Sequence, residues 1–441
     1  MQMKKYKLGE LMEVTRGMSL GGEFYSTKGE LMRLTLGNFD YKNNCFKDDK
    51  SKDNLFFTGA VKPEFILKKD DIITPLTEQA IGLLGSTAKI PCDGKYIQSQ
   101  DVALIKCNEK LNPNFAFYLI PSKLVRNQLS AAAQQTKIRH TSSDKIKDCT
   151  VWIPEYSSQE KIGNFLSSLD KKIALNNRIN AKLEQMAKRL YDYWFVQFDF
   201  PRSVSGEPGL HELSRTDDGK PRSDFPNENG KPYKSSGGKM VYSAELKREI
   251  PEGWGVGNLY EIADYINGLA CQNFRPKEDD ESLPVIKIRE MNEGITKDTE
   301  KVSIDIPEKY KINNGDILFS WSATLEVMVW NGGKGGLNQH IFKVVPKNYF
   351  SNEYVYQQLD RYIVNFQKQA EARKTTMGHI TSEHINQSRV VLPPEETVQA
   401  FTQKVKALSK MQSNLKTENL RLAIMRDRLL PLLMNGQMEI I

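Results

Sequence analysis

The second half of this chain repeats the first, and that repetition limits the folds open to it more than any single motif does. Leu8–Gly17, LGELMEVTRG, resembles Leu259–Gly268, LYEIADYING. Lys68–Thr77, KKDDIITPLT, resembles Asn313–Ser322, NNGDILFSWS, with Asp71 over Asp316. Further on the register is constant: Gln100 and Gln339, His140 and His379, and Pro154 and Pro393 are each 239 residues apart. Landmarks that recur in one order and hold register mark a duplicated structural unit.

Each copy mixes short apolar runs such as DVALIKC and HIFKVVP, which read as strands, with NPNFAFYLIPSKLVRNQL and SNEYVYQQLDRYIVNFQKQA, which read as helices. The expected class is α+β, with two tandem mixed α/β domains over residues 1–153 and 251–392. Each is closed by a strand that stops at Pro154 or Pro393. A long helix is expected after each proline, over 154–198 and 393–436. Ile162, Leu166, Leu169, Ile173, Asn176, Asn180, Leu183, Ala187, Leu190 and Trp194 step alternately by four and three, the spacing of a coiled-coil seam. Phe401, Val405, Leu408, Gln412, Leu415, Asn419, Leu422, Arg426, Leu429 and Leu433 repeat it.

A helix of this length spans about 50 Å at 1.5 Å per residue, too far to leave an apolar stripe uncovered. The two helices are therefore expected to pair as an antiparallel coiled coil about a pseudo-twofold axis. Asn180 and Asn419, repeat-equivalent and mid-helix, are expected to meet there as a buried polar pair that fixes register. Residues 199–250, rich in Gly, Pro, Ser and charge, read as a polar linker, and 437–441 as a tail.

A net charge of +7 suits a polyanionic partner only if it is concentrated on one face. There is no run of 18 apolar residues and no leader pattern behind Met1, so a cytoplasmic protein with no membrane partner is expected. Five cysteines without a CxxC read as reduced and mostly packed rather than as metal ligands. The GKP turns at Gly219 and Gly230 lack the following Ser or Thr of a phosphate loop. The only Pro-Pro, Pro393-Pro394, is not a methyltransferase motif, and the acidic run Glu278–Glu281 reads as a solvated loop rather than a nuclease centre. No catalytic or metal-binding residue is assigned.

Four features then carry a family resemblance over essentially the whole chain. They are YDYWFVQFDFP at Tyr191–Pro201, NGKPYKSSGGKMVYSAELKREIPEGW at Asn229–Trp254, GDILFSWSA at Gly315–Ala323, and the helices that follow Pro154 and Pro393. Together with the duplication, these resemble the specificity subunit, HsdS, of type I restriction-modification enzymes. The resemblance implies two target-recognition domains, each reading half of a split sequence in double-stranded DNA. It also implies a helical spacer that docks two methyltransferase subunits, with restriction and translocase subunits in the assembly. S-adenosylmethionine, ATP and magnesium would then belong to the partner subunits. A 50 Å spacer corresponds to about fifteen base pairs.

Base edges are read by side chains with paired donors and acceptors, and phosphates by cations and hydroxyls. In the first domain the candidates are Gln98, Gln100, Lys137, Arg139 and His140, with Thr77, Glu78 and Gln79 beside them. In the second they are Ser320, Trp321, Lys334, Gln339, Arg373, Lys374, Thr375, Thr376 and His379, with Ser322 and Asn338. Serines and threonines here also suit helix caps. Gly332–Gly336 reads either as a loop at the duplex or as a hairpin tip. The aromatic cluster Tyr191, Tyr193, Trp194 and Phe195 is a candidate partner-docking patch, or else packs on the neighbouring domain. Two other readings stay open: a specificity chain of a methylation system without a translocating nuclease, and a coiled-coil adaptor.

Overall fold

The structure is a computed structural model that describes residues 2–49, 51–78, 80, 82–132, 139–202, 230–277, 280–322, 324–372 and 380–440. Two compact units emerge. Unit 1 joins residues 1–174 to 420–441, and unit 2 is the continuous stretch 175–419. Each long helix therefore contributes one half to each unit.

The centre of unit 1 is an antiparallel sheet of β1 (Met12–Arg16), β2 (Ile72–Pro75) and β3 (Val102–Cys107), with β3 in the middle and the short strand Ala88–Lys89 beyond β2. Ile105 of β3 lies between Val14 and Ile72. Unit 2 repeats this arrangement with β4 (Ala263–Asn267), β5 (Ile317–Ser320) and β6 (Ile341–Pro346), where Val344 lies between Tyr265 and Ile317. Val344 is 239 residues beyond Ile105, so the repeat register read from sequence is also the strand register. Terminal strands close both units: Lys4–Lys7 pairs with Thr150–Ile153, and Gly255–Gly257 with Val390–Leu392.

The same backbone device recurs at Gly17 and Gly268. Each follows the first strand of its sheet and crosses against a loop so closely that a Cβ has no room. It would lie 2.3 Å from the Ser99 carbonyl oxygen in unit 1 and 2.1 Å from that of Asn338 in unit 2. Only glycine permits that approach.

The long helices run Tyr156–Tyr191 and Glu395–Met434. Ile162 and Leu166 of the first are buried in the core of unit 1, as are Leu433 and Met434 of the second. The apolar C-terminal segment is thus core, and Ile440 of the tail packs at its edge. In unit 2 the helices pair antiparallel, but one turn away from the expected Asn180–Asn419 contact. Asn176 Nδ2 donates to Asn419 Oδ1 at 2.9 Å and to Glu418 Oε2 at 2.8 Å, and Asn419 Nδ2 donates to Asn177 Oδ1 at 2.7 Å. Gln412 reaches the Asn180 carbonyl and, at 3.1 Å, Glu184. Antiparallel helices match a residue to its mirror position about the axis, and equivalence in the repeat brings two residues together only if both lie on that axis. Asn419 faces Asn176 and Asn180 faces Gln412, so neither lies on it.

Part of the expected linker is structured. Met240–Ser243 and Arg248–Pro251 form a hairpin, and Tyr233 stacks on Phe200 with ring centroids 4.7 Å apart, while Phe200 stacks on Trp254 at 5.0 Å. The rings of Phe200, Tyr233 and Trp254, with Ile250, Met240 and Leu246, join this segment to the core of unit 2. The GKP turn at Gly219 lies outside the described residues. Among the described residues no helix is long and apolar enough to cross a membrane.

Candidate nucleic-acid interface

At the end of β2 the chain is flanked by two loops. Leu76 N donates to the Asp101 carbonyl at 2.8 Å, and Thr141 N donates to the Leu76 carbonyl at 2.9 Å. The strand pair Thr77–Glu78 and Arg139–His140 adds Thr77 opposite His140 and Glu78 opposite Arg139. Three segments thereby form one rim: 76–78, 99–101 and 139–141. Beyond β5 the same frame reappears, with Trp321 N on the His340 carbonyl at 3.3 Å and Ile380 N on the Trp321 carbonyl at 2.9 Å.

Different side chains fill these matched frames. In unit 1, Thr77 Oγ1 lies 3.2 Å from Asp101 Oδ1 and 3.3 Å from His140 Nδ1. Gln100 is exposed, with its carbonyl held by Arg16 Nε at 2.8 Å. In unit 2, Trp321 Nε1 donates to Asn267 Oδ1 at 3.1 Å, its ring lies 5.6 Å from that of His340, and Gln339 Nε2 contacts His340 Nε2 at 3.3 Å. Asn267 holds the place before Gly268 that Arg16 holds before Gly17.

The rims collect Gln100, Arg139 and His140 in one unit and Trp321 and Gln339 in the other, but not the remaining candidates. Gln98 is buried, and its amide donates to the carbonyls of Thr15 at 2.7 Å and Val102 at 3.0 Å, so it ties strands together and offers no edge to a base. Ser320 is fully buried, its hydroxyl engaged with Thr324 and Glu326 backbone. Ser322 and Asn338 are buried too. Lys334 is exposed, but strand Gly335–Leu337 separates it from Asn338, and Gly335 and Gly336 are buried in that strand rather than forming a loop. Gln79, Lys137, Arg373, Lys374, Thr375, Thr376 and His379 lie outside the described residues.

Three of the four aromatic docking candidates are interior. Tyr191, Trp194 and Phe195 are at most 2 % exposed and pack with Tyr354 and Phe401 of the same unit, with Tyr191 OH bonded to Gln358 Oε1. Only Tyr193 is exposed, beside a cleft lined by Met186, Arg189, Leu190 and Leu408. The five-residue π-helix 192–196 turns one ring of the four away from the rest.

Residues that sequence reasoning passed over complete the picture. Arg16, Asp101, Asn267 and His340 line the rims, and the repeat register places Asp101 under His340. Beside Gln100 a cavity of about 330 Å³ is lined by Arg33, Lys47 and Lys52, with the Arg33 guanidinium 3.9 Å from the Tyr25 ring centre. Behind the unit 1 rim, burial lowers the pKa of Arg126, and the charge of Glu78 opposes that shift. Burial pushes the thiols of Cys107, Cys149 and Cys271 up to about 11, so they stay protonated near neutral pH. Among the described residues no group of three His, Cys, Asp or Glu side chains is placed to hold a metal ion.

Comparison with known proteins identifies the duplicated unit. The family model described as the type I restriction modification DNA specificity domain matches twice, over residues 2–185 and 251–424. The HindI specificity subunit of Haemophilus influenzae is 25 % identical over 373 residues, covering 78 % of this chain and 81 % of that protein. The MjaIX specificity subunit of Methanocaldococcus jannaschii is 20 % identical over 336 residues, covering 74 % and 69 %. The crystal structure of a type I restriction-modification S subunit from M. genitalium shares the fold, with a TM-score of 0.56 at 13 % identity over 98 % of this chain and 96 % of that one. A duplicated match over most of the sequence makes this chain a member of the type I restriction-modification DNA specificity family, a non-catalytic subunit that recognises a DNA target.

Proposed function

We propose that each unit reads one half of a bipartite double-stranded DNA target through its rim, and that the unread stretch between the halves is set by the paired helices. One observation carries this reading: two backbone frames with matched hydrogen bonds present different side chains, Gln100, Asp101 and His140 in one and Trp321, Gln339 and His340 in the other. A common frame with different base-facing groups is what two unlike half-sites require. Lys47 and Lys52 beside the first rim would supply sequence-independent attraction to phosphates, while Arg33 is buried and bonded to Asn54.

Two methyltransferase subunits would dock on equivalent helical surfaces. Met186 and Met425 are 239 residues apart and both exposed, as befits adaptable contacts, and Arg189 and Arg428 repeat beside them. Restriction and translocase subunits would complete the assembly in a cytoplasmic complex. S-adenosylmethionine, ATP and magnesium would act in those partners. The test is to map methylated sequences in a host carrying this chain and its methyltransferase. A split motif is expected, with Gln100→Ala and Gln339→Ala relaxing opposite halves. An undivided motif, or both changes acting on the same half, would refute the reading.

A further inference from the structure

We infer that Arg139 reads a guanine in the half-site of unit 1 and that the buried Glu78 is the residue that positions it, an assignment that rests on the rim being the DNA interface. Glu78 is 8 % exposed and opposite Arg139 in the strand pair. Its Oε1 accepts from Gly82 N at 2.9 Å, and its Oε2 lies 3.6 Å from Arg139 Nη1. The same Nη1 donates to Ser130 Oγ at 3.0 Å.

Both anchors thus fall on one nitrogen of the guanidinium. Nε and Nη2 have no partner among the described residues, and 43 % of the Arg139 side chain remains accessible. Two parallel N–H groups on a fixed plane match the O6 and N7 acceptors of guanine in the major groove. A phosphate contact fits less well. A carboxylate at its back offsets much of the charge that would draw Arg139 to the backbone, while the double anchor holds the angle that base reading needs.

The device is confined to unit 1. The repeat places Gly378 at the position of Arg139 and Ala323 at that of Glu78. Its removal is therefore expected to alter one half of the target only.

The experiment uses the full chain with its methyltransferase partners in a host, mapping methylated sequences for Arg139→Lys and Glu78→Gln. It is paired with titration of the purified complex on target DNA at several salt concentrations. Arg139→Lys keeps the charge and loses the fork. One G·C position in one half should become degenerate, with discrimination falling about 10- to 100-fold, while the other half and the salt slope stay unchanged. Glu78→Gln should relax that same position to a smaller degree, which a purely structural carboxylate would not do. If Glu78→Gln fails to fold, Arg139→Lys still decides. Full discrimination by Arg139→Lys, loss in both halves, or equal weakening on every sequence would overturn the assignment. An undivided motif from the unaltered chain would instead overturn the interface reading beneath it.

Discussion

Replacing Gly17 or Gly268 by alanine tests the shared frame at its tightest point. A Cβ at Gly17 would lie 2.3 Å from the Ser99 oxygen and 2.4 Å from the Gln98 oxygen, and at Gly268 2.1 Å from the Asn338 oxygen. These are main-chain atoms, so no side chain can swing aside, and strand and loop must part by about 1 Å to reach ordinary contact. That movement strains the bonds from Gly17 N to Val102 O at 3.3 Å and Met18 N to Gln98 O at 3.2 Å. In unit 2 it strains Gly268 N to Ile341 O and Leu269 N to Leu337 O, both at 3.1 Å. Two bonds at roughly 1 kcal/mol each and an overpacking cost of the same order give a loss of about 2 to 4 kcal/mol. Urea denaturation measures it directly, with Gly22→Ala as control, because a Cβ at Gly22 meets nothing within 4 Å. The displaced loops carry Gln100 in one unit and Gln339 in the other, so methylation mapping should show Gly17→Ala relaxing one half of the target and Gly268→Ala the other. Wild-type stability for either variant, with Gly22→Ala indistinguishable from it, would show that the close approach does not constrain the fold.

Leu433→Ala should destabilise the protein by about 2 to 5 kcal/mol in the same assay, because that side chain is 1 % exposed in the core of unit 1. A change below about 0.5 kcal/mol would mean that the C-terminal segment does not belong to the core. Glu326 has an unpartnered Oε2, and burial raises its pKa above the ordinary 4.5. The folded state therefore holds that proton to higher pH than the unfolded chain does, and stability falls as pH rises from about 4.5. Glu326→Gln is expected to be more stable than the parent at pH 7, with the gap in melting temperature closing toward pH 4; a gap that widens on acidification would contradict this.

The duplication and the strand register were legible because Asp71 and Asp316, or Gln100 and Gln339, survive as landmarks at matching places. The rim was half legible. Exposure decides whether a glutamine is open to a partner or ties strands, and Gln98 and Gln100 are two residues apart with opposite fates. Alternation in a strand hints at such a difference, but which side faces the core depends on partners distant in sequence. The aromatic run at 191–195 left docking and packing open for a similar reason, since only packing shows that Tyr193 alone turns outward. Asn176 falls in the seam spacing, but the sequence does not pair it with Asn419 because its repeat partner is Leu415, and comparing copies rewards symmetry that an antiparallel pair does not need.

Unit 1 is assembled from both ends of the chain, with Leu433 and Met434 packed beside Ile162 and Leu166. Unit 2 is continuous from 175 to 419. During synthesis the residues that emerge first must therefore wait for those that emerge last, and the later-made unit is the first with all its parts. A ribosome that stalls between residues 419 and 433 leaves unit 2 with all its residues and unit 1 with its core open to water.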